Sequence, residues 1–260
     1  MRKVLFLGLT GCLALTLPSV AAYAKPSYKN TWNQGWFAGG GVGAGQVRVS
    51  SGTQNIYYTP DPYYDSYSTS QTKPTTPIVS VEGGYRWSNI NRAPFAYFLG
   101  LRYRYLNSDS MNGNILILNN SAFPYGFTYD TSAQTFSLFG KIDLMQFGGF
   151  APYITGGMGA AILRFSNYGE YPKSAVSIAR NSAAFNSDAS YNFTYDLGFG
   201  LDYFIKQNWT VSLGYDYINL GKLRTGNGAY NNITGGTHEL NFGTVTANTV
   251  FLQTDYMFNA

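Results

Sequence analysis

The chain has 260 residues, of which 12% are charged and 17% are aromatic, and it contains 30 glycines and 23 tyrosines. The charged fraction is about half of the roughly 25% usual in soluble domains, and this composition suits a barrel with aromatic girdles and a tightly packed interior. The formal net charge of +4 is too small to indicate a nucleic acid or any strongly acidic partner.

The first 24 residues have the pattern of a secretory signal peptide. Two basic residues precede an apolar run at 4–17, and an A-x-A cleavage site ends at Ala24. Cys12, the only cysteine, also closes a lipoprotein-like box, so lipidation of Cys12 is the alternative. Cleavage after Ala24 would leave a mature chain without disulfides or thiolate metal ligands.

Residues 25–33 are predicted to be a short periplasmic lead, and eight segments with the period of two typical of β-strands follow it. The clearest is a hairpin, Phe193–Leu220, with apolar residues at every second position on both sides of a three-residue turn. The predicted strands are 34–49, 77–88, 94–106, 131–145, 151–165, 193–205, 209–220 and 242–258. Because no later apolar run is long enough for a spanning helix, strands closed into a barrel are the structure that satisfies every backbone polar group in a membrane.

The connections between these strands alternate between long and short. The long ones are 50–76, 107–130, 166–190 and 222–241. Long loops on one side and short turns on the other are typical of bacterial outer-membrane barrels, so we expect the long loops outside the cell and both termini in the periplasm. A barrel of ten strands is the alternative if Ile115–Leu118 pairs within its loop.

The chain resembles the eight-stranded outer-membrane β-barrels of Gram-negative bacteria, the OmpA-like and opacity-type surface antigen group. The resemblance covers residues 34–258 and rests on the rhythm of strands and loops, on Ala151–Gly159 and Leu213–Tyr217, and on the aromatic end of the last strand. It implies an all-β transmembrane antiparallel up-and-down barrel in the cell outer membrane, in contact with lipid and lipopolysaccharide. Such barrels usually end on the aromatic residue itself, whereas two further residues follow Phe258 here.

Charged residues on the predicted inner face comprise four bases and six acids. They are Glu82, Arg86, Arg102, Arg104, Lys141, Asp143, Asp196, Asp202, Asp216 and Asp255. The interior of an eight-stranded barrel is just wide enough for side chains, and buried charges persist when they are paired. We therefore predict a paired network that fills the lumen, with acid–base catalysis or an ion pathway as the alternatives.

Tyrosines are frequent in the first two long loops, and tyrosine is prominent at interfaces. The candidates for contact with an extracellular or host ligand are Tyr57, Tyr58, Tyr63, Tyr64, Tyr67, Tyr125 and Tyr129. Packing of the loops on one another is the alternative. His238, the only histidine, has no nucleophile motif beside it, and the glycine-rich first strand lacks the spacing of a nucleotide-binding loop. We predict no catalytic residue, no cofactor and no metal site.

These patterns predict a non-enzymatic integral outer-membrane protein with a structural, surface-antigen or adhesion role that its loops perform. One alternative is a small outer-membrane channel for small or apolar solutes. The other is a barrel hydrolase, which would act on lipid or peptide.

Overall fold

A computed structural model describes residues 34–50, 52–57, 64–69, 74–88, 95–107, 110–121, 124–174, 184–206, 208–229 and 239–258. Its strands are β1 (Gly35–Val49), β2 (Thr53–Tyr57), β3 (Tyr64–Thr69), β4 (Thr75–Ser88), β5 (Ala96–Asn107), β6 (Met111–Leu116), β7 (Pro124–Asp143), β8 (Phe150–Pro172), β9 (Ala184–Phe185), β10 (Asp188–Phe204), β11 (Trp209–Arg224), β12 (Gly228–Ala229) and β13 (Asn241–Met257). A 3₁₀ turn, Ile117–Asn119, follows β6. Among these residues, no helix is long and apolar enough to cross a membrane.

The eight long strands form a closed antiparallel ring. Their order around the ring is β1, β4, β5, β7, β8, β10, β11 and β13, and β13 pairs back with β1. The pairing of β7 with β8 joins the two ends of what would otherwise be an open sheet. Each long strand therefore pairs with the previous and the next long strand along the chain, which confirms the predicted up-and-down barrel of eight strands.

Successive residues of each ring strand face the interior and the outside in turn, because side chains alternate along a β-strand. On β5, Phe98 and Arg102 are buried, whereas Leu99 and Leu101 are exposed on the outer face. The same alternation appears on β8, where Tyr153 is buried although several glycines blur the sequence pattern. The outer face is apolar along most of the ring, as a surface in contact with lipid must be.

The end of the barrel with the long connections carries additional sheet that the sequence analysis assigned to loops. On β7, residues 132–143 pair with β5, and residues 124–129 pair with β6. Strand β6 also pairs with β3, and β3 pairs with β2. Because β6 takes over from β5 along the same edge of β7, it extends the wall above the ring and adds no strand to it. The alternative of a ten-stranded barrel is therefore wrong.

Three other boundaries differ from the predicted loops for the same reason. Strand β8 continues to Pro172, β10 begins at Asp188 and β11 continues to Arg224. These strand ends project beyond the apolar outer belt, so their outer faces are polar and lack the apolar alternation that identified the rest of each strand. We call this extended part of the barrel, with β2, β3 and β6, the long-loop end, and the opposite end the short-turn end.

Two apolar clusters lie in the interior, one at each end. The smaller one, at the short-turn end, contains Phe37, Ala96, Phe98 and Phe139. The larger one fills the long-loop end and includes side chains from β2, β3 and β6. Charged side chains lie beside the smaller cluster, where Lys141 and Asp143 are in register with Phe98 and Ala96, and continue from there toward the larger one.

Candidate functional site

The barrel interior holds all ten charged residues that the sequence placed on the inner face. Every one is buried, and the most exposed of them, Glu82, has a relative exposure of 7%. Five of the seven ion pairs among them join strands that are not adjacent in the ring, and the contacts place nine of the ten residues in two groups along the lumen. Such charges persist in an interior only when each is close to an opposite charge or a hydrogen-bonding group.

The first group lies toward the short-turn end. Nη2 of Arg86 on β4 is 3.3 Å from Oδ2 of Asp143 on β7. Nζ of Lys141 is 2.5 Å from Oδ2 of Asp202 on β10 and 4.0 Å from Oδ1 of Asp143. The Ser212 hydroxyl on β11 donates a hydrogen bond of 2.7 Å to Oδ1 of Asp202. The group therefore connects four strands across the lumen.

Aromatic rings cover the cations of this first group. The guanidinium carbon of Arg86 is 4.9 Å from the centroid of the Phe98 ring and 5.3 Å from that of Phe204. Nζ of Lys141 is 4.7 Å from the Phe98 ring and 4.3 Å from the Tyr153 ring. Rings at these distances stabilise a cation and also fill the space through which water would reach it.

The second group lies nearer the middle of the barrel. Nε of Arg102 on β5 is 2.5 Å from Oε2 of Glu82 on the neighbouring β4, and its Nη1 is 3.3 Å from Oδ1 of Asp196 on β10. Nη1 of Arg104 is 3.3 Å from Oδ2 of Asp196, and Arg104 also pairs with Asp216 on β11. Two arginines on one strand thus hold acids from three other strands.

Asp255 on β13 differs from the other nine charges. It accepts a hydrogen bond of 2.9 Å from Nε2 of Gln253, but it forms no ion pair within the part of the chain that the structure describes. Its register partner on β1 is Gly39. A Cβ on Gly39 would collide with the Asp255 carboxylate and would lie 2.7 Å from the backbone oxygen of Thr254. Glycine at this position therefore makes room for the acid.

This arrangement is a poor basis for catalysis. Five of the six acids are held by bases at ion-pair distance. All six are buried, and the described residues contain no group of three or more side chains suited to a metal ion. His238, the only histidine of the chain, lies outside the described residues. What the groups can do chemically is hold the strands together and occupy the lumen.

The long-loop end is closed by aromatic side chains above the charged groups. The ring of Phe242 on β13 is 4.7 Å from that of Tyr129 on β7 and 5.7 Å from that of Phe165 on β8, and both pairs are stacked. Phe127 and Tyr67 continue the cluster toward β3, with their ring centroids 6.1 Å apart. These contacts tie the extended sheet to the opposite wall of the barrel.

Three of the candidate tyrosines therefore have a different position from the one predicted. Tyr67, Tyr125 and Tyr129 have relative exposures of 2%, 4% and 1%. Buried rings in an apolar cluster cannot contact an external ligand, so these three pack the long-loop end, which was the alternative interpretation. The alternation of Tyr125, Phe127 and Tyr129 is a strand pattern in the sequence, and it was the signal for this cluster.

Of the other four candidates, Tyr58 and Tyr63 lie outside the described residues. Tyr57 is 55% exposed, and its ring is 5.2 Å from that of Tyr64, which is half-buried. This pair lies at the adjoining ends of β2 and β3, where the two residues are in register.

Comparison with known proteins gives one matching family. The sequence model of the family described as "Outer membrane protein beta-barrel domain" matches residues 10–251. No curated protein matches the chain in sequence.

Several solved structures resemble the chain. Neisserial surface protein A is 8% identical, with 87% of this chain and 99% of that chain covered and a TM-score of 0.43. The outer membrane protein OprG from Pseudomonas aeruginosa is 15% identical, with 87% and 97% covered and a TM-score of 0.44. The attachment invasion locus protein Ail of Yersinia pestis is 13% identical, with 85% and 98% covered and a TM-score of 0.35.

Proposed function

The chain belongs to the family of outer membrane protein β-barrel domains, and from this membership we propose that it is a closed, non-enzymatic barrel. Its role on this proposal is at the cell surface, as a structural protein, a surface antigen or an adhesin. The observation that carries the proposal is that two successive layers of side chains fill the lumen. A barrel without a water-filled path does not transport solutes, so its function depends on the surfaces that it presents.

The lower layer consists of the two groups of charged residues, and the upper layer is the aromatic cluster at the long-loop end. In the lower layer Arg86, Asp143 and Asp202 have relative exposures of 1%, 0% and 0%. In the upper layer Phe127 and Tyr129 have 0% and 1%. Ions would have to displace both layers to cross, which supports a closed barrel over a channel for small solutes.

The orientation of the barrel is a further part of the proposal. The long-loop end faces the outside of the cell, and the termini lie in the periplasm. This orientation is supported by the short connections at the other end, from Asp143 to Phe150 and from Phe204 to Trp209, because bacterial barrels place their short turns in the periplasm. The exposed pair Tyr57 and Tyr64 is then the described place where a host or extracellular ligand would bind.

Conductance tests the closed lumen. The purified barrel in planar lipid bilayers is expected to show no reproducible open state, while a porin prepared in the same way provides the positive control. Reproducible current steps from the folded protein would favour the channel. For apolar solutes, uptake by vesicles that contain the barrel should not exceed uptake by empty vesicles. Cleavage of lipid A or a peptide that is lost in His238→Ala would instead support the hydrolase.

Labelling of intact cells tests the orientation, because the single natural cysteine lies in the predicted signal peptide. A membrane-impermeant maleimide is expected to label Tyr57→Cys, at the long-loop end, in intact cells. Lys206→Cys, which is exposed at the short-turn end, is the matched control and should react only after the outer membrane has been permeabilised. The opposite pattern would show that the long-loop end faces the periplasm and would remove the surface role.

A further inference from the structure

Above the ring, the hairpin of β2 and β3 takes the place of β1 and β4 in the wall of the barrel. In the ring, β1 and β4 lie between β13 and β5. At the long-loop end, β6 has taken over from β5, β3 pairs with β6, and β2 pairs with β3. The other edge of β2 faces the first residues of β13, because Gln54 on β2 contacts Glu239 and Asn241 there. We call the hairpin of β2 and β3 the flap.

The seam between the flap and β13 lacks backbone pairing. The ladder between β1 and β13 ends at the register pair of Val49 and Val245. Just above this pair, the Ser50 N–H donates a hydrogen bond of 2.9 Å to the Thr244 carbonyl oxygen, and the Thr244 N–H donates one of 2.9 Å to the Ser50 hydroxyl. Beyond Ser50, no backbone hydrogen bond joins β2 to β13 among the residues that the structure describes.

One side chain bridges this seam. Nε2 of Gln54 donates a hydrogen bond of 2.8 Å to the Glu239 carbonyl oxygen, and the Asn241 N–H donates one of 2.7 Å to Oε1 of Gln54. The two backbone groups lie on the same edge of β13, because they belong to residues two positions apart. A neighbouring strand would bind them through its own backbone N–H and carbonyl. The Gln54 amide therefore takes the place of a strand that is missing from this edge.

The opposite edge of the flap is held in a different way. Residues 66–69 of β3 are in register with residues 113–116 of β6, so backbone pairing secures that edge. The underside of the flap carries Ile56 and Tyr67, which are 1% and 2% exposed and belong to the same apolar cluster as Leu240 near the start of β13. Ordered backbone pairing thus holds the flap at β6, whereas apolar packing and one side chain hold it at β13.

We propose that the flap is hinged at β6 and opens along its seam with β13, and that the Gln54 amide is the latch that keeps it closed. Local opening begins where few backbone hydrogen bonds have to break, and the seam is such a place. Opening exposes Ile56 and Leu240 to water and leaves the ring below intact. Because the exposed pair Tyr57 and Tyr64 lies on the flap, the latch also fixes the position of this pair relative to the barrel.

Cysteine reactivity of the refolded barrel in detergent micelles tests the inference, because the single natural cysteine lies in the predicted signal peptide. Ile56→Cys, under the closed flap, is expected to react slowly with a water-soluble maleimide. Adding Gln54→Ala removes two hydrogen bonds and should raise this rate by about tenfold. Leu240→Cys, on the other side of the seam, should respond in the same way. Different mobility of boiled and unboiled samples on a gel verifies that each variant is folded.

Two controls separate opening of the flap from a general loosening of the barrel. Asn55→Ala changes the exposed neighbour of Gln54 on β2 and should leave the rate at Ile56→Cys unchanged. Leu106→Cys is buried in the ring, in register with Ile78, and should stay unreactive when Gln54→Ala is added. An equal increase at Leu106→Cys would mean that the whole barrel loosens, and it would overturn the inference.

A second variant at the latch keeps the test decisive. Gln54→Glu retains an acceptor for the N–H across the seam but has no donor for the carbonyl oxygen, so it should also raise the rate at Ile56→Cys. An unchanged rate in both Gln54→Ala and Gln54→Glu would overturn the inference. The assay requires neither a ligand nor a conductance measurement, so its result is independent of the proposed function.

Discussion

Arg102 is one of three bases in the charged interior that each pair with two acids. It lies between Glu82 on the adjacent strand and Asp196 across the lumen, and its guanidinium carbon is 4.0 Å from the centroid of the Phe139 ring. Moving such charges out of water costs several kcal/mol per ion, which the attraction between them offsets only when every partner is present. The ion pair of Arg102 and Glu82 therefore adds little net stability, but the loss of either partner alone is costly.

Replacement of Arg102 alone should consequently be more harmful than its replacement together with Glu82. Arg102→Met leaves Glu82 buried without its base, which should lower the free energy of unfolding by about 3–5 kcal/mol. Adding Glu82→Gln removes the unpaired charge, so the double variant should be more stable than the sum of the single effects indicates. Urea unfolding in lipid vesicles, followed by tryptophan fluorescence, measures both. Arg48→Met, at an exposed arginine, is the control and should change stability by about 0.5 kcal/mol or less. If the effects of Arg102→Met and Glu82→Gln on the free energy of unfolding simply add in the double variant, the two residues are not coupled and the prediction is wrong.

Sequence alone placed Arg102 and its neighbours on the inner face because the apolar outer residues of β4, β5 and β7 alternate clearly. It did not determine which acid each base contacts. Arg102 and Asp196 lie on strands that are not adjacent in the ring, so their pairing depends on the position of each strand around the lumen. The aromatic cover of the cations depends on the same positions and was equally invisible in the sequence.

Strand β7 illustrates what limited the prediction at the level of elements. Its lower half has lipid-facing residues such as Phe136 and Leu138, which are 52% and 51% exposed. Above the apolar belt the outward residues are Gly126, Thr128 and Asp130. None of the three has a large apolar side chain, so the apolar signal remains only on the inner face. The sequence analysis required an apolar outer face, and it therefore began the strand seven residues late, at 131 instead of Pro124.

Strand β11 shows a second limit, because a bulge reverses its alternation. The register shifts between Asn219 and Gly221, where the backbone of Gly221 has a φ of +85°. The side chain of Asn219 accepts a hydrogen bond of 3.0 Å from the Gly221 N–H, which stabilises this conformation. Below the bulge Ile218 faces inward; continued alternation would also place Lys222 inward, but Leu223 is the buried residue. The bulge thus puts Lys222 and Arg224 on the outer face, a consequence of strand pairing that the order of residues does not reveal.

At the scale of the whole molecule, the two layers of side chains lie one above the other in a single lumen. Layers in series block a path independently, because an ion that passes one still meets the other. The charged layer holds strands together through Arg102, Arg104 and Lys141. The aromatic layer joins the extended sheet to the opposite wall through Phe242. Closure should therefore survive the loss of either layer alone.

Combined substitutions in the two layers are expected to open the barrel where each set alone does not. Tyr129→Ala with Phe242→Ala thins the aromatic layer, and Arg102→Ala with Glu82→Ala thins the charged layer without leaving that pair half-broken. In planar bilayers each double variant should stay closed, and the quadruple variant should give reproducible current steps. Phe136→Ala with Leu138→Ala, which removes large side chains from the lipid face, is the control for nonspecific leakage and should stay closed when it is combined with either double variant. If one double variant conducts ions, the layer that it leaves intact does not stop them. The layer that this variant alters would then be the one that closes the lumen, and the two-layer model would be wrong.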